Sequence, residues 1–491
     1  MDISTIEDQN DYIGLTDNDE LDASTRSQGE MEEREDAAEA AAREELEQRV
    51  KQYRNPFSAM LIESKNIVFH GAPGTGKTHL AREIAIDVVS DGQCDKWDEL
   101  SDEQKRRVEF VQFHPSYDYS DFVEGLRPKM NDDGTMGFEL RDGIFKRFIA
   151  RARKNFEDSQ KPEEIIEKEA AVQAAIDDFR SIIELNKTTF TTKSGDSIFT
   201  ITSFNNKHIR IKIEYKLKKD KVEKDKVKKI KVKHDEFLLN VDDIRRMLLS
   251  DKEFSKVKKV AAFLERPRIH EDSYYFVLHK EIKKREKPSS KVKIEPIKLK
   301  NYVFIIDEIN RGEISKIFGE LFFAIDPGYR GRKGEVSTQY ANLNPNPDEK
   351  FYIPENAYII GTMNDIDRSV EPFDFAMRRR FRFVELKANE QLDMLDSLKD
   401  DVRDEAIRRM EALNKKIANN EDLNENYQIG PAYFLKLETL DFDQLWTDYL
   451  RPLLREYVRG ARDEKRAMKQ FAKAYGYEEP TKGSADEGTE D

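Results

Sequence analysis

The chain has 491 residues, of which 38% are hydrophobic and 37% charged, enough for roughly two to four domains of about 100–200 residues each. It contains no apolar run near the roughly 18 residues a membrane helix needs. Its first twenty residues are acidic rather than a secretory leader, and its single cysteine, Cys94, excludes an intrachain disulfide framework and a multi-cysteine zinc site.

The formal net charge of −14 is unevenly spread. Residues 1–50 hold 17 acids and 4 bases, residues 478–491 hold 6 acids and 1 base, and the 427 residues between them net +4. A soluble, cytoplasmic chain with solvated acidic ends around a slightly basic body is expected. Residues 1–30 lack apolar periodicity and read as a tail. Met31 to about Tyr53, rich in Ala, Glu and Arg, favours a solvated helix ending at Asn55-Pro56. Ile67-Val68-Phe69 predicts a short buried strand entering a glycine-rich turn, and Val108 to Phe113 a second strand. A helix is expected from Ile144 into the 150s.

Residues 160–300 read as an insertion. Ile198, Thr200 and Thr202, then Ile209, Ile211, Ile213 and Tyr215, alternate around Asn205-Asn206 and predict a hairpin. Lys207 to Lys233 holds 13 bases against 4 acids. Helical periodicity is read at Phe237 to Leu249 and Val257 to Leu264, a strand at Tyr274 to Leu278 and a basic linker at Lys287 to Lys300. Tyr302 to Ile306 predicts a third core strand and Tyr358 to Gly361 a fourth. From about Leu386 to Tyr477 the pattern is mostly helical. No internal repeat of fixed period is present.

The strongest local signal is Gly71-Ala72-Pro73-Gly74-Thr75-Gly76-Lys77-Thr78, which fits G-x-x-x-x-G-K-[ST] between a strand and a helix starting at His79. Glycines let backbone N–H groups turn towards phosphates, and the helix N-terminus adds a positive partial charge. The stretch Gly71 to His79 is therefore expected to bind nucleotide, with Lys77 reaching the β/γ-phosphates and the Thr78 hydroxyl ligating Mg²⁺. Val303 to Ile306 runs into Asp307-Glu308. Asp307 is expected at the metal, and Glu308 as general base for the attacking water. Asn364, at the end of the fourth strand, is expected to orient that water, with Asp367 and Arg368 catalytic beside it. Arg378-Arg379-Arg380 follows ten residues later; Arg379 is taken as the catalytic arginine, although the pattern does not separate the three, nor action in cis from action on a neighbouring subunit.

In this order the motifs resemble an AAA+ P-loop NTPase: an α/β fold with a parallel sheet, a helical C-terminal lid and an α+β insertion. The expected boundaries are 56–389 for the large subdomain, interrupted by 160–300, then 390–477 for the lid, with acidic ends at 1–55 and 478–491. The run from Val111 to Pro128, VQFHPSYDYSDFVEGLRP, closely resembles the McrB family, GTPase motors of modification-dependent restriction systems. Asp142 to Phe145, Asp307 to Leu321 and Gln428 to Phe434 are similar to further family stretches, and Met363-Asn364-Asp365-Ile366-Asp367-Arg368-Ser369 resembles its signature, with Asp365-Ile366 in place of Thr-Ala. The likeness covers about residues 56–160 and 300–460.

The resemblance implies GTP (or ATP) as substrate with Mg²⁺, a homo-oligomeric ring, and a separate McrC-like nuclease subunit; the chain itself shows no nuclease motif. DNA would be met directly or through that partner. The N-terminal domain with which the family reads methylated bases is not expected, since an acidic stretch of about 55 residues precedes the module. Two other functions fit parts of the sequence: a MoxR-like ATP-dependent remodelling chaperone, which shares Asp307 to Arg311 but not Phe113 to Pro128, and a nucleotide-gated scaffold, which an intact Glu308 and Asn364 oppose. The basic run Lys207 to Lys233 either tracks DNA phosphates or decorates the surface, with Tyr274, Tyr275 and Phe276 as candidate stacking residues.

Overall fold

The computed structural model describes residues 44, 50–130, 134–193, 197–215, 234–250, 252–267, 269–286, 296–344, 346–366 and 375–478. The chain divides into two compact units, Met1–Phe156 with Leu299–Asp491, and Glu157–Lys298.

The first unit is built on five parallel strands: β1 (Asn66–Gly71), β2 (Val108–Gln112), β3 (Tyr302–Asp307), β4 (Ala357–Asn364) and β5 (Arg382–Glu385). Their order is β5-β1-β4-β3-β2. Strands covered on both faces read as continuous apolar runs, which is why β1, β3 and β4 are legible as such. Alternate residues feed two cores. Val68, Phe304, Ile306 and Ile359 pack with Phe122, Phe145, Phe148 and Phe318 on one face. Ile67, Phe69, Val303, Ile305 and Ile360 pack with Leu61, Leu80, Ile84 and Val88 on the other. Helix α1 (Pro56–Ser64) starts where Asn55 Oδ1 accepts from Phe57 N–H at 2.9 Å, with proline in its first turn. Helix α2 (Lys77–Val89) follows the glycine-rich loop, and α3 (Ile144–Ser159) covers the opposite face.

The register matters most for function. Gly71 pairs with Asn364, Gly361 with Ile306 and Gln112 with Asp307. The carboxyl ends of β1, β3 and β4 therefore finish at one level, side by side, where open α/β sheets place their ligands.

The stretch Phe113–Gly125 is a packed corner. Tyr117 stacks on buried Phe113 at 4.8 Å. Asp118 caps a one-turn helix by accepting from Ser120 and Asp121 N–H. Phe122 stacks on Phe145 at 4.6 Å, and Tyr119 Oη donates to Glu320 Oε1 at 2.5 Å. The two stretches Phe113–Pro128 and Ser315–Leu321 thus meet each other in space. Next comes an antiparallel hairpin that the sequence reading did not anticipate, Glu124–Met130 with Met136–Asp142. Its outward apolar residues Met130, Met136 and Phe138 are exposed.

After β5 the chain is largely helical. Helices α4 (Asp400–Ala418) and α5 (Glu464–Tyr475) enclose a core with Met410, Leu413, Phe434, Trp446 and Phe471.

The second unit holds a four-stranded antiparallel sheet, Thr189–Thr191, Ser197–Phe204, His208–Tyr215 and His234–Asn240, paired in that order. The expected hairpin is present. Asn205 Oδ1 accepts from Lys207 and His208 N–H at 2.9 and 2.8 Å and closes its turn. Helices Glu163–Ile182, Val241–Leu249 and Asp272–Lys283 contribute to its core beside Phe199, Ile201, Ile209, Ile211 and Ile213.

Three expectations are corrected here. Tyr274 to Leu278 is helix, not strand: Tyr274, Leu278 and Ile282 recur at helical spacing and are buried. Tyr275 and Phe276 are buried too, so none of the three aromatic residues is a stacking platform. Phe237 to Leu249 splits, with Asn240 ending a strand and capping the helix that follows through Asp242 N–H at 2.8 Å. The expected helix over 31–43 and 45–49, the basic residues 216–233, linker residues 287–295, the acidic end 479–491, and Asp367 with Arg368 lie outside the described residues.

Candidate active site

The loop between β1 and α2 reverses direction through two left-handed glycines, Gly74 (φ +78°) and Gly76 (φ +83°). A side chain is excluded at Gly71 as well, where a Cβ would lie 2.3 Å from Leu386 O. Lys77 is buried, and its Nζ donates to Ala72 O at 2.7 Å and Gly71 O at 3.1 Å. Burial lowers its pKa to about 8, against the opposing pull of Asp365, Glu308 and Asp307. A cation held this way, on the carbonyls of the loop, is matched to an anion.

Thr78 Oγ1 donates to Asp307 Oδ1 at 2.7 Å, so the first turn of α2 and the end of β3 are joined. The same carboxylate oxygen accepts from Thr362 Oγ1 at 2.6 Å, and Thr362 Oγ1 accepts from Glu308 N–H at 3.3 Å. Thr362 was not singled out from sequence. The signal was available, because residues two apart on a strand share a face and Thr362 precedes Asn364 by two.

Glu308 is the polar centre of the site. Its backbone is left-handed at φ +52°, a conformation that costs a non-glycine residue on the order of 1–2 kcal/mol. Its Oε1 accepts from Asn364 Nδ2 at 2.6 Å and its Oε2 from Arg311 Nε at 3.2 Å. Burial raises its pKa above the ordinary carboxylate value, more than Arg311 lowers it. A carboxylate so raised is a stronger base, and it stays aimed because both oxygens are held. Asn310 Nδ2 donates to Asn364 O at 3.5 Å. Asp365, where the sequence departs from the family signature, pairs with His70 Nδ1 at 3.0 Å and adds negative potential at Lys77.

Gly71 to Thr78, Asp307, Glu308 and Asn364 are thus brought together. His79 is exposed, and its Nε2 turns along the helix to Glu83 Oε1 at 3.3 Å, which raises its pKa. The three arginines are separated by the fold. Arg380 is buried, with its guanidinium over the Phe322 ring at 4.7 Å, and belongs to the core. Arg378 and Arg379 are both exposed, Arg378 with its guanidinium over the Phe383 ring at 5.6 Å.

The donor set suits a hard divalent cation. Thr78 Oγ1 and Asp307 Oδ1 are adjacent oxygens facing the glycine-rich loop, as Mg²⁺ requires when phosphate and water complete its shell. No cluster of three or more His, Cys, Asp or Glu that could hold a metal alone exists among the described residues. No helix among them is long and apolar enough to cross a membrane.

Comparison with known proteins finds two family matches and two curated relatives. Residues 405–466 match the family described as "McrB, alpha-helical lid domain", and residues 268–381 match "AAA domain (dynein-related subfamily)". The chain is 23% identical over 411 residues to the Type IV methyl-directed restriction enzyme EcoKMcrB subunit of Escherichia coli (strain K12), covering 81% of this chain and 54% of that protein. It is 29% identical over 171 residues to the Type II restriction enzyme BsuMI component YdiS of Bacillus subtilis (strain 168), covering 32% of this chain and 49% of that one. The chain therefore spans about half the length of these curated relatives. A β5-β1-β4-β3-β2 parallel sheet, a glycine-rich loop facing Asp307-Glu308 and a matching lid make this chain a McrB-like AAA+ protein of α/β fold.

Proposed function

We propose that the chain is the nucleoside-triphosphatase motor of a restriction system, with GTP as the favoured substrate, working as a homo-oligomeric ring that activates a separate McrC-like DNA nuclease in the cytoplasm. The observation that carries the reading is Glu308, raised in pKa by burial and held by Asn364 and Arg311 one residue after the Asp307–Thr78 pair.

Lys77 binds the β/γ-phosphates by releasing the loop carbonyls it now holds, and the loop N–H groups take the remaining phosphate oxygens. Thr78 and Asp307 would hold Mg²⁺, which would supply neutralisation of the phosphates' negative charge. Glu308 accepts a proton from the attacking water while Asn364 fixes the carboxylate, and Thr362 fixes the Asp307-Glu308 peptide. Asp367 and Arg368 are assigned to the same site by resemblance. Arg379, exposed and not laid over an aromatic ring as Arg378 and Arg380 are, is assigned to a neighbouring subunit's nucleotide. GTP over ATP, the ring and the nuclease partner rest on the relatives and the family resemblance.

Steady-state hydrolysis of GTP and ATP by the purified chain, with Glu308→Gln as control, tests this. A GTP preference that vanishes in the variant is expected; an ATP preference would overturn the substrate, and unchanged turnover in the variant would overturn the base.

A further inference from the structure

The lid touches the glycine-rich loop through main chain, at the loop's turning points. Gly430 N–H donates to Pro73 O at 3.0 Å, and Ala432 N–H to Gly74 O at 3.0 Å. There is no slack between the two segments. A Cβ on Gly430 would lie 2.2 Å from Gly74 O and 2.4 Å from Thr75 N; one on Gly74 would lie 2.7 Å from the Tyr433 ring. The φ of Gly430 is −82°, open to any residue, so its glycine is required by close approach alone. A second lid residue closes the other hinge: a Cβ on Gly76 would lie 2.6 Å from Met394 Sδ. Both left-handed glycines of the loop are thus covered by lid side chains.

The gripping segment is itself held from behind. Asn414, buried in α4, donates from Nδ2 to Ile429 O at 2.9 Å and accepts from Ile429 N–H at 2.7 Å. This two-point bond imitates a strand pair and fixes the peptide next to Gly430. A continuous chain of contacts therefore runs from α4 through Asn414, Ile429 and Gly430 to Pro73 and Gly74.

We propose that this lid clamp sets the conformation of the phosphate-binding loop, with Gly430 and Tyr433 as positioning residues and Asn414 as their anchor. The proposal rests on the triphosphatase reading and adds a regulatory device to it. The lid holds the loop's N–H groups in phosphate-binding array, and any rotation of the lid must break two main-chain hydrogen bonds and release both glycine hinges. Nucleotide affinity and lid position are then reciprocally linked.

The test compares wild type, Gly430→Ala, Tyr433→Ala and Tyr433→Phe in the full chain. Binding of fluorescently tagged GTP and ATP is titrated, and amide hydrogen exchange is followed at Thr75 and Gly76. Gly430→Ala and Tyr433→Ala are expected to weaken both nucleotides by about tenfold or more, to raise KM more than they lower kcat, and to speed exchange at those amides. Tyr433→Phe keeps the ring and is expected to restore binding. Thermal melts identify a Gly430→Ala chain that has failed to fold, in which case Tyr433→Ala, which adds no clash, decides. Wild-type affinity and unchanged exchange in the folded variants would overturn the clamp. If the wild type binds neither nucleotide, the triphosphatase reading fails instead, and exchange alone decides: faster in the variants upholds the clamp, unchanged overturns it.

Discussion

The two units bury comparable aromatic and aliphatic cores, yet among the described residues only the first brings the candidate site's side chains together. In the first, Gly71, Asp307 and Asn364 end three parallel strands that point the same way and lie in register. Parallel strands deliver every following loop to one edge, so residues nearly 300 positions apart converge there. In the second unit, neighbouring strands run oppositely, and loops alternate between the two ends. Its polar residues are dispersed as a consequence. His208 and Asn240 meet at one end of the sheet and Glu214 and His234 at the other. Strand direction, more than composition, separates the unit that carries the candidate site from one whose core is the same kind of hydrophobic packing.

The largest expected effect would break this comparison at the parallel edge. Glu308→Gln should lower kcat by about 10²-fold or more while nucleotide binding persists, measured by steady-state hydrolysis beside equilibrium titration. In the second unit the corresponding blow is structural. Ile211→Ala, which empties a fully buried site, should destabilise that unit by about 2–5 kcal/mol, read as a separate shift in denaturant unfolding, with hydrolysis kept. Loss of hydrolysis in step with that shift would erase the distinction between the units.

Thr362→Val sharpens the picture at the strand edge. It removes the hydroxyl shared by Asp307 and Glu308 and leaves both less supported, so hydrolysis should fall about tenfold with the melting temperature little changed. The pH dependence is smaller and has a definite sign. Lys77 is protonated below about 8 in the free protein and neutral above, so triphosphate affinity should weaken as pH rises through that value. Lys77→Arg, which stays charged, should flatten the profile.

The smallest effect concerns the basic run. Deleting residues 197–233 would remove two strands and Phe199, Ile201, Ile209, Ile211 and Ile213 from the core, so it cannot isolate charge. Replacing the ten lysines of 216–233 by glutamine should instead lower DNA affinity and flatten its salt dependence, with hydrolysis unchanged. An unchanged salt slope would remove this run as the DNA contact.

The sequence by itself determined which residues meet at the parallel edge. The glycine-rich loop, Asp307, Glu308 and Asn364 were legible because phosphate binding and water activation need particular residue types at particular spacings, and because doubly covered strands are uninterruptedly apolar. It also determined the Asn205-Asn206 hairpin, where period-two alternation and a turn residue agree. Tertiary structure alone decided the rest. Thr362 and Asn414 are a threonine and an asparagine like many others until register or a neighbouring peptide gives each two partners. The three consecutive arginines are equivalent in sequence, and only packing sends Arg380 under Phe322 and leaves Arg379 in solvent. Tyr274 to Leu278 reads as strand because aromatic residues favour either structure when buried, and the helix won through the core it completes. Gly430 carries no left-handed backbone to announce it. Its need for glycine comes from a loop more than 350 residues earlier, a distance across which no local pattern operates.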